Sequence, residues 1–244
     1  MDIKEYLKKD DRIIIPIGSI EQHGKHLPLG TDSFVAIKLA EEAAKKANIL
    51  TTPPIWFGWS PHHLVLPGSV SIDPRTLSDL LYDIIKSLNE HGFKKFVVIN
   101  GHRLVNIPWM QISAERCQRE LGVKVVIFDP AYMEKEIIGE LGFGEVGHAE
   151  EIETSHMLYL YPNLVEMDKA VDYEPPEKHL YHVDPRSRKD TLVYIPSTRD
   201  MMKESVTKSG GSTGRPTKAS KEQGEKLHRH LVERLVFVIK DLKG

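Results

Sequence analysis

Residues 21–32 read Glu21-Gln22-His23-Gly24-Lys25-His26-Leu27-Pro28-Leu29-Gly30-Thr31-Asp32, so one short segment carries two carboxylates and two imidazoles. Zinc-type divalent cations take neutral imidazole nitrogen and carboxylate oxygen at about 2.0–2.2 Å, and a tightly folded loop can supply several such donors. Gly24, Pro28 and Gly30 permit that fold. Two further clusters lie downstream. Asn100-Gly101-His102 puts an imidazole beside a permissive glycine, and Gly147-His148-Ala149-Glu150-Glu151-Ile152-Glu153-Thr154-Ser155 joins one histidine to three carboxylates. Any one of these residues alone reads more simply as solvated loop, and Glu150 and Glu151 have a plain alternative as favourable charge in a helix's first turn. Together they point to metal-assisted chemistry at a site assembled from separate parts of the chain.

The elements that must position these residues alternate along the chain. The apolar run Arg12-Ile13-Ile14-Ile15-Pro16-Ile17-Gly18 has strand length and feeds into Glu21, and Lys95-Phe96-Val97-Val98-Ile99-Asn100 runs into His102. In open α/β sheets, ligands gather beyond the carboxyl ends of such strands. Ala36, Ala40, Ala43 and Ala47 predict a helix over 33–47 with Asp32 at its entrance, where it is either the N-cap or a ligand. A short strand is expected at 49–53, a helix over 74–91 beginning at Pro74 with Asp73 as cap, a helix near 107–121, and a strand over 123–128. Helices over 149–161 and 220–242 complete a βαβα pattern with a mainly parallel sheet.

The remaining segments are less regular. Trp56-Phe57-Gly58-Trp59-Ser60-Pro61-His62-His63 gathers aromatics and imidazoles that either wall a small-molecule pocket or pack structurally. Residues 172–218 are rich in proline, glycine and charge and predict a lid or subunit-contact region outside the core. Their run Ser209-Gly210-Gly211-Ser212-Thr213-Gly214 fails as a phosphate loop, because Arg215 stands where lysine is required and Pro216 obstructs the usual helix entry.

At 244 residues, one α/β domain over 1–244 with a substantial core is expected. Lys and Arg total 33 against 35 Asp and Glu, which gives no global field for nucleic acid. Cys117 is the single cysteine and reads as a buried thiol in a reducing compartment. No run approaches the roughly 18 apolar residues of a membrane span, and Met1-Asp2-Ile3-Lys4-Glu5-Tyr6-Leu7 lacks an apolar signal core, so the expected location is the cytoplasm.

These motifs, in this order, resemble the creatininase (creatinine amidohydrolase) family. The resemblance is carried by Gly18-Ser19-Ile20-Glu21-Gln22-His23-Gly24 with Thr31-Asp32, by Asn100-Gly101-His102, and by Gly147-His148 with Glu153-Thr154-Ser155. Weaker matches at Ser60-Pro61-His62-His63, Pro67-Gly68-Ser69 and Gly214-Arg215-Pro216-Thr217-Lys218-Ala219-Ser220 extend it over nearly the whole chain. It implies a three-layer α/β/α fold with a mainly parallel central sheet. It also implies two divalent metal ions, with zinc the first expectation and manganese or iron the alternatives, held by Glu21, His23, a bridging Asp32, His102 and Glu153. His148 matches the family's catalytic histidine and His63 a position near the substrate. A homo-oligomer, commonly a hexamer, is implied too.

Departures narrow the reading. Relatives commonly place small glycines after the Asn-Gly-His motif, whereas this chain has Arg103-Leu104-Val105-Asn106. Creatininases proper carry a metal-binding glutamate at the Leu104 position, which assigns the last ligand to Glu153 and argues against creatinine as substrate. Arg103 either binds an anionic or hydroxyl-rich substrate or forms a structural ion pair. Trp59 joins His63 and Arg103 as a candidate substrate contact. The expected activity is hydrolysis of a small cyclic substrate at a carbonyl, by default a cyclic amide C–N bond. The alternative is C–C hydrolysis of a cyclic diketone such as an oxidised inositol of the 3-dehydro-scyllo-inosose type. A reading of another class is a non-catalytic metal-stabilised scaffold or sensor, with closed coordination shells.

Overall fold

The computed structural model describes residues 2–176 and 198–243. A short helix α1 (Ile3–Leu7) leads into β1 (Arg12–Ile17), α2 (Thr31–Ala47), β2 (Leu50–Thr51), α3 (Pro74–Glu90), β3 (Lys95–Asn100), α4 (Ile107–Leu121) and β4 (Lys124–Phe128). Two brief helices, α5 (Pro130–Met133) and α6 (Lys135–Glu140), precede α7 (Glu151–Leu160), α8 (Thr198–Ser209) and α9 (Lys221–Asp241).

The four strands pair in the order β2-β1-β3-β4, all parallel. Parallel strands need covered faces, and β1 and β3 are accordingly near-continuous apolar runs buried almost throughout. Pro16 is tolerated in the central strand because its carbonyl, and with it the position of its missing N–H, faces the side where β2 has already ended at Thr51. The chain moves outward from β1 to β2, returns past β1 to β3, and continues to β4. Right-handed crossovers then put α2 on one face and α3 and α4 on the other. The packing agrees: α2 lies against β1, α7 and α9, while α3 packs on α4 and α4 on β4.

Helix boundaries follow local chemistry. Asp73 accepts the backbone N–H of Arg75 ahead of Pro74, as its capping position requires. Asp32, by contrast, is not a cap: Gly30 holds that position and Asp32 lies within the first turn of α2. The stretch 172–218 is not all loop. Residues 177–197 lie outside the described residues, but α8 forms within the remainder and packs on the 3-10 turn Pro61–Val65. Cys117 is buried in α4, where burial raises its thiol to about 11. No helix among the described residues is long and apolar enough to cross a membrane.

Candidate metal centre

Strand order reverses between β1 and β3, and the two clusters that follow these strands emerge side by side at their carboxyl ends. Gly101 makes the approach possible. A Cβ there would lie 2.1 Å from the carbonyl oxygen of Asp32, so only glycine lets the end of β3 pass the first turn of α2. His102 therefore sits against Asp32, its Nδ1 3.0 Å from Oδ2, while its Nε2 lies 3.2 Å from Glu21 Oε2. On the other side of Asp32, Oδ1 faces His23 Nε2 at 3.1 Å. Glu153, in the first turn of α7, brings Oε2 to 3.6 Å from the same nitrogen. The side chains of Glu21, His23, Asp32, His102 and Glu153 thus converge from four segments, and the two oxygens of Asp32 face one histidine each.

Polar neighbours orient this set. His23 Nδ1 lies 3.2 Å from the Glu21 carbonyl oxygen, which can only accept, so Nδ1 keeps its proton and Nε2, which faces the two carboxylates, is the nitrogen free to bind a metal once it gives up its own proton. Ser19 donates to Glu21 Oε2 at 3.0 Å, its hydroxyl is 2.6 Å from that of Ser60, and Ser60 Oγ is 3.3 Å from His102 Nε2. Ala149, held at φ 48°, turns its N–H onto Glu153 Oε2 at 2.6 Å.

His148 stands over the set. Its Nε2 donates to the Gln22 carbonyl at 2.5 Å, which leaves the Nδ1 lone pair directed at Glu21 Oε1, 3.7 Å away. Its ring contacts those of His23 and His63 at centroid distances of 4.5 and 4.1 Å. The segment is anchored by the pairing of His148 with Thr213. The glycine run beside Thr213 serves close packing: a Cβ on Gly211 would lie 2.0 Å from Gln22 Oε1.

His63 is buried closer to the carboxylates than its sequence context indicated, with Nε2 3.1 Å from Glu21 Oε1 and Nδ1 3.0 Å from Gln22 Nε2. Trp59 is half-buried, packs on the core, and donates its backbone N–H to Asn106. Arg103 turns inward, its Nη2 2.7 Å from both Glu150 Oε1 and Glu153 Oε1 and its Nη1 3.5 Å from Glu134. His26, though within the first cluster, faces Thr154 at 2.9 Å. Sequence spacing gave no sign of Ser19, Ser60 or Glu134, since their roles depend on tertiary approach.

The electrostatics are those of a cation site. Glu21 Oε1, His23 Nε2 and Asp32 Oδ2 are buried and make no hydrogen bond. Buried carboxylates packed this closely need positive charge beside them, supplied by ring protons in the metal-free chain or by a bound cation that displaces them. Burial lowers the pKa of His23, but Asp32 and Glu153 outweigh it and raise it to about 10. His102 is raised to about 9, where burial is outweighed by Glu21 and Asp32. Glu21 is raised to about 7, chiefly by burial. Asp32 is held below the usual carboxylate range, where burial is overcome by His23 and His102. Burial and the nearby His23 push His148 down to about 3 and keep it neutral. Two triads, Glu21–Asp32–His102 and His23–His148–Glu153, each have ligand atoms close enough together for one ion, and Glu21, His63 and His148 form a third. This donor set fits divalent metal.

The chain is similar to proteins of known activity. A protein of Thermotoga maritima, 3-dehydro-scyllo-inosose hydrolase, is 34% identical over 191 residues, 73% of this chain and 60% of that protein. Creatinine amidohydrolase of Pseudomonas putida is 31% identical over 195 residues, 71% of this chain and 74% of that protein. A solved creatininase variant of Zn-Zn type superposes with a TM-score of 0.78 at 26% identity, covering 99% of this chain and 95% of the other. The family model Creatininase, described as creatinine amidohydrolase, matches residues 1–239, and the chain belongs to the creatininase family.

Proposed function

We propose that this chain is a hydrolase that opens a small cyclic substrate at a carbonyl with the help of two divalent cations. Glu21, His102 and Asp32 would hold one ion, and His23, Asp32 and Glu153 the other, with zinc the first choice for this donor set and manganese or iron the alternatives. Two such ions, typically about 3.5–4 Å apart, lower the pKa of water and polarise a carbonyl. The observation that carries the reading is the group of buried, unbonded donor atoms Glu21 Oε1, His23 Nε2 and Asp32 Oδ2, brought together from distant segments.

His148 supplies the proton transfers. Its Nε2–H is fixed on the Gln22 carbonyl, so Nδ1 is the free base, and it points toward the carboxylates where the water would be held. It takes a proton from the nucleophile and returns it to the leaving atom. Ser19 and Ser60 keep Glu21 and His102 in register, and Gln22 does the same for His63. The His148 and Glu153 side chains retain 13% and 11% exposure, which leaves the centre open on that side, as catalysis needs and a closed structural site does not.

The default bond is a cyclic amide C–N. C–C cleavage of a cyclic diketone is the second reading, favoured by the Thermotoga relative and by Leu104 standing where creatinine enzymes carry a carboxylate ligand. A cytoplasmic homo-oligomer of single-domain chains acting on a small molecule completes the proposal.

The test is a panel of cyclic amides and cyclic diketones on metal-reconstituted protein in weak buffer. At neutral pH, diketone hydrolysis yields a carboxylate and a ketone and releases one proton per turnover. Amide hydrolysis yields a carboxylate and an amine that keeps the proton, so net release is near zero. His148→Ala is expected to lower kcat by about 10²- to 10⁴-fold with metal content retained. Turnover that survives this change refutes the role of His148.

A further inference from the structure

Arg103 follows a candidate ligand directly, and its guanidinium turns inward onto the Oε1 side of Glu153. The backbone fixes this direction: Leu104 adopts φ 66°, and its N–H is pinned by Asp129 Oδ2 at 2.8 Å. Asp129 is itself held by Asn100 Nδ2 at 2.7 Å and the Ala131 N–H at 2.8 Å. A leucine in the left-handed region is strained by its Cβ, and this anchoring must offset that strain.

The guanidinium so placed divides the Glu153 carboxylate. Arg103 Nε and Nη2 both reach Oε1, at 3.1 and 2.7 Å, while Oε2 accepts from Ala149 and faces His23. Beside Glu153 lies a cavity of about 20 Å³ bordered by Arg103, Glu134, Ile152 and His156, room for one water. Arg103 on Oε1 and the Ala149 N–H on Oε2 together hold the carboxylate in this orientation. The Arg103 charge is shared with Glu150 and Glu134, so only part of it falls on Glu153. Glu21, by contrast, is oriented by the neutral hydroxyl of Ser19.

Building on the two-cation reading above, we propose that Arg103 is a positioning residue for the second cation alone: it presents Glu153 Oε2 beside His23 and grades the two sites, so that the ion at Glu153 is held less tightly than the ion at Glu21. The grading follows because a carboxylate already paired with a guanidinium gives less charge to a metal than one paired with a hydroxyl. Lysine cannot replace the fork, since one ammonium cannot contact Glu150 and Glu153 in the same planar geometry.

The test titrates metal-free wild-type, Arg103→Lys and Glu150→Gln proteins with Mn²⁺, reading stepwise affinities and the electron paramagnetic resonance spectrum. The wild type is expected to take up two ions with unequal affinity and to show an exchange-coupled pair. Arg103→Lys should keep the first affinity and weaken the second by about 10- to 100-fold, giving the spectrum of an isolated ion at limiting metal. Equal loss at both sites, or an unchanged second affinity, overturns the proposal. Should Arg103→Lys fail to fold, Glu150→Gln carries the test. Burial raises the Glu150 carboxyl to about 8, so the titration is run above that pH; there the substitution keeps the shape and throws more of the guanidinium charge onto Glu153, the second ion must weaken several-fold while the first does not, and an unchanged second ion overturns the proposal. A wild-type protein that binds fewer than two ions refutes the two-cation reading itself, a separate result.

Discussion

Adding divalent metal to the metal-free protein must expel protons, and their number follows from the side chains at the site. His23 is raised to about 10, with burial opposing and Asp32 and Glu153 prevailing, and His102 is raised to about 9 by Glu21 and Asp32 against burial. Both rings are therefore protonated at pH 7.5, and Glu21, raised to about 7 by burial, adds a small fraction. Loading two ions should release about two protons per chain at pH 7.5 and about one at pH 9.5, because ligands must give up their protons to bind. The product of the two binding constants then rises about 100-fold per pH unit near pH 7.5 and about tenfold per unit near pH 9.5. Calorimetric titration in buffers of different protonation enthalpy reads the count directly from the slope of observed against buffer enthalpy. A related sign applies to stability. The folded pKa values of His23 and His102 lie above the unfolded value of about 6.5, so their contribution to the metal-free protein is complete below that pH and is lost as pH rises through about 9 and 10. Release near zero at pH 7.5, or a count that does not fall by pH 9.5, would refute the charge assignment.

Two other predictions test the scaffold. Gly101→Ala places a methyl 2.1 Å from the Asp32 carbonyl oxygen and must separate the end of β3 from α2. A loss of about 1–3 kcal/mol in a urea titration is expected, together with weaker metal uptake, and wild-type values for both would contradict the close-approach argument. His156 and His228, joined at 2.8 Å between α7 and α9, are kept neutral by burial, with their pKa values below the ordinary range. Their contribution is present above about pH 6.5 and lost as pH falls, by up to about 1.4 kcal/mol per pH unit for each ring. His156→Gln should flatten the stability profile between pH 6.5 and 5, and an equally steep profile would show that these rings do not drive it.

Much of this fold was legible because its elements are long and regularly patterned. The strands at 12–18, 95–99 and 123–128 and the helices at 74–91 and 107–121 match the observed β1, β3, β4, α3 and α4 to within a residue at each end. Asp32 was ambiguous between cap and ligand, and only tertiary structure shows Gly30 in the capping position. Helix α8 carries no sequence signal for a physical reason. Its buried positions include Met202, Ser205 and Ser209, and the two serines satisfy themselves on the carbonyls of Met202 and Ser205 within the helix. A helix that buries serine shows no apolar period. The inward turn of Arg103 was equally hidden, since its acidic partners at 134, 150 and 153 lie far along the chain.

The metal centre and the pocket are encoded in different kinds of sequence. The candidate ligands at 21, 23, 32 and 102 are brought together by strand order, because the reversal between β1 and β3 leaves the carboxyl ends of these strands adjacent. The loops around 52–72 bring His63 to Glu21 while Trp56 and Phe57 stay exposed, and no periodic pattern constrains such segments. Chains that share the strand ends can therefore keep one metal chemistry while their loops choose different rings. Relatives named creatinine amidohydrolase and 3-dehydro-scyllo-inosose hydrolase both match this chain at about one residue in three, as such a division permits.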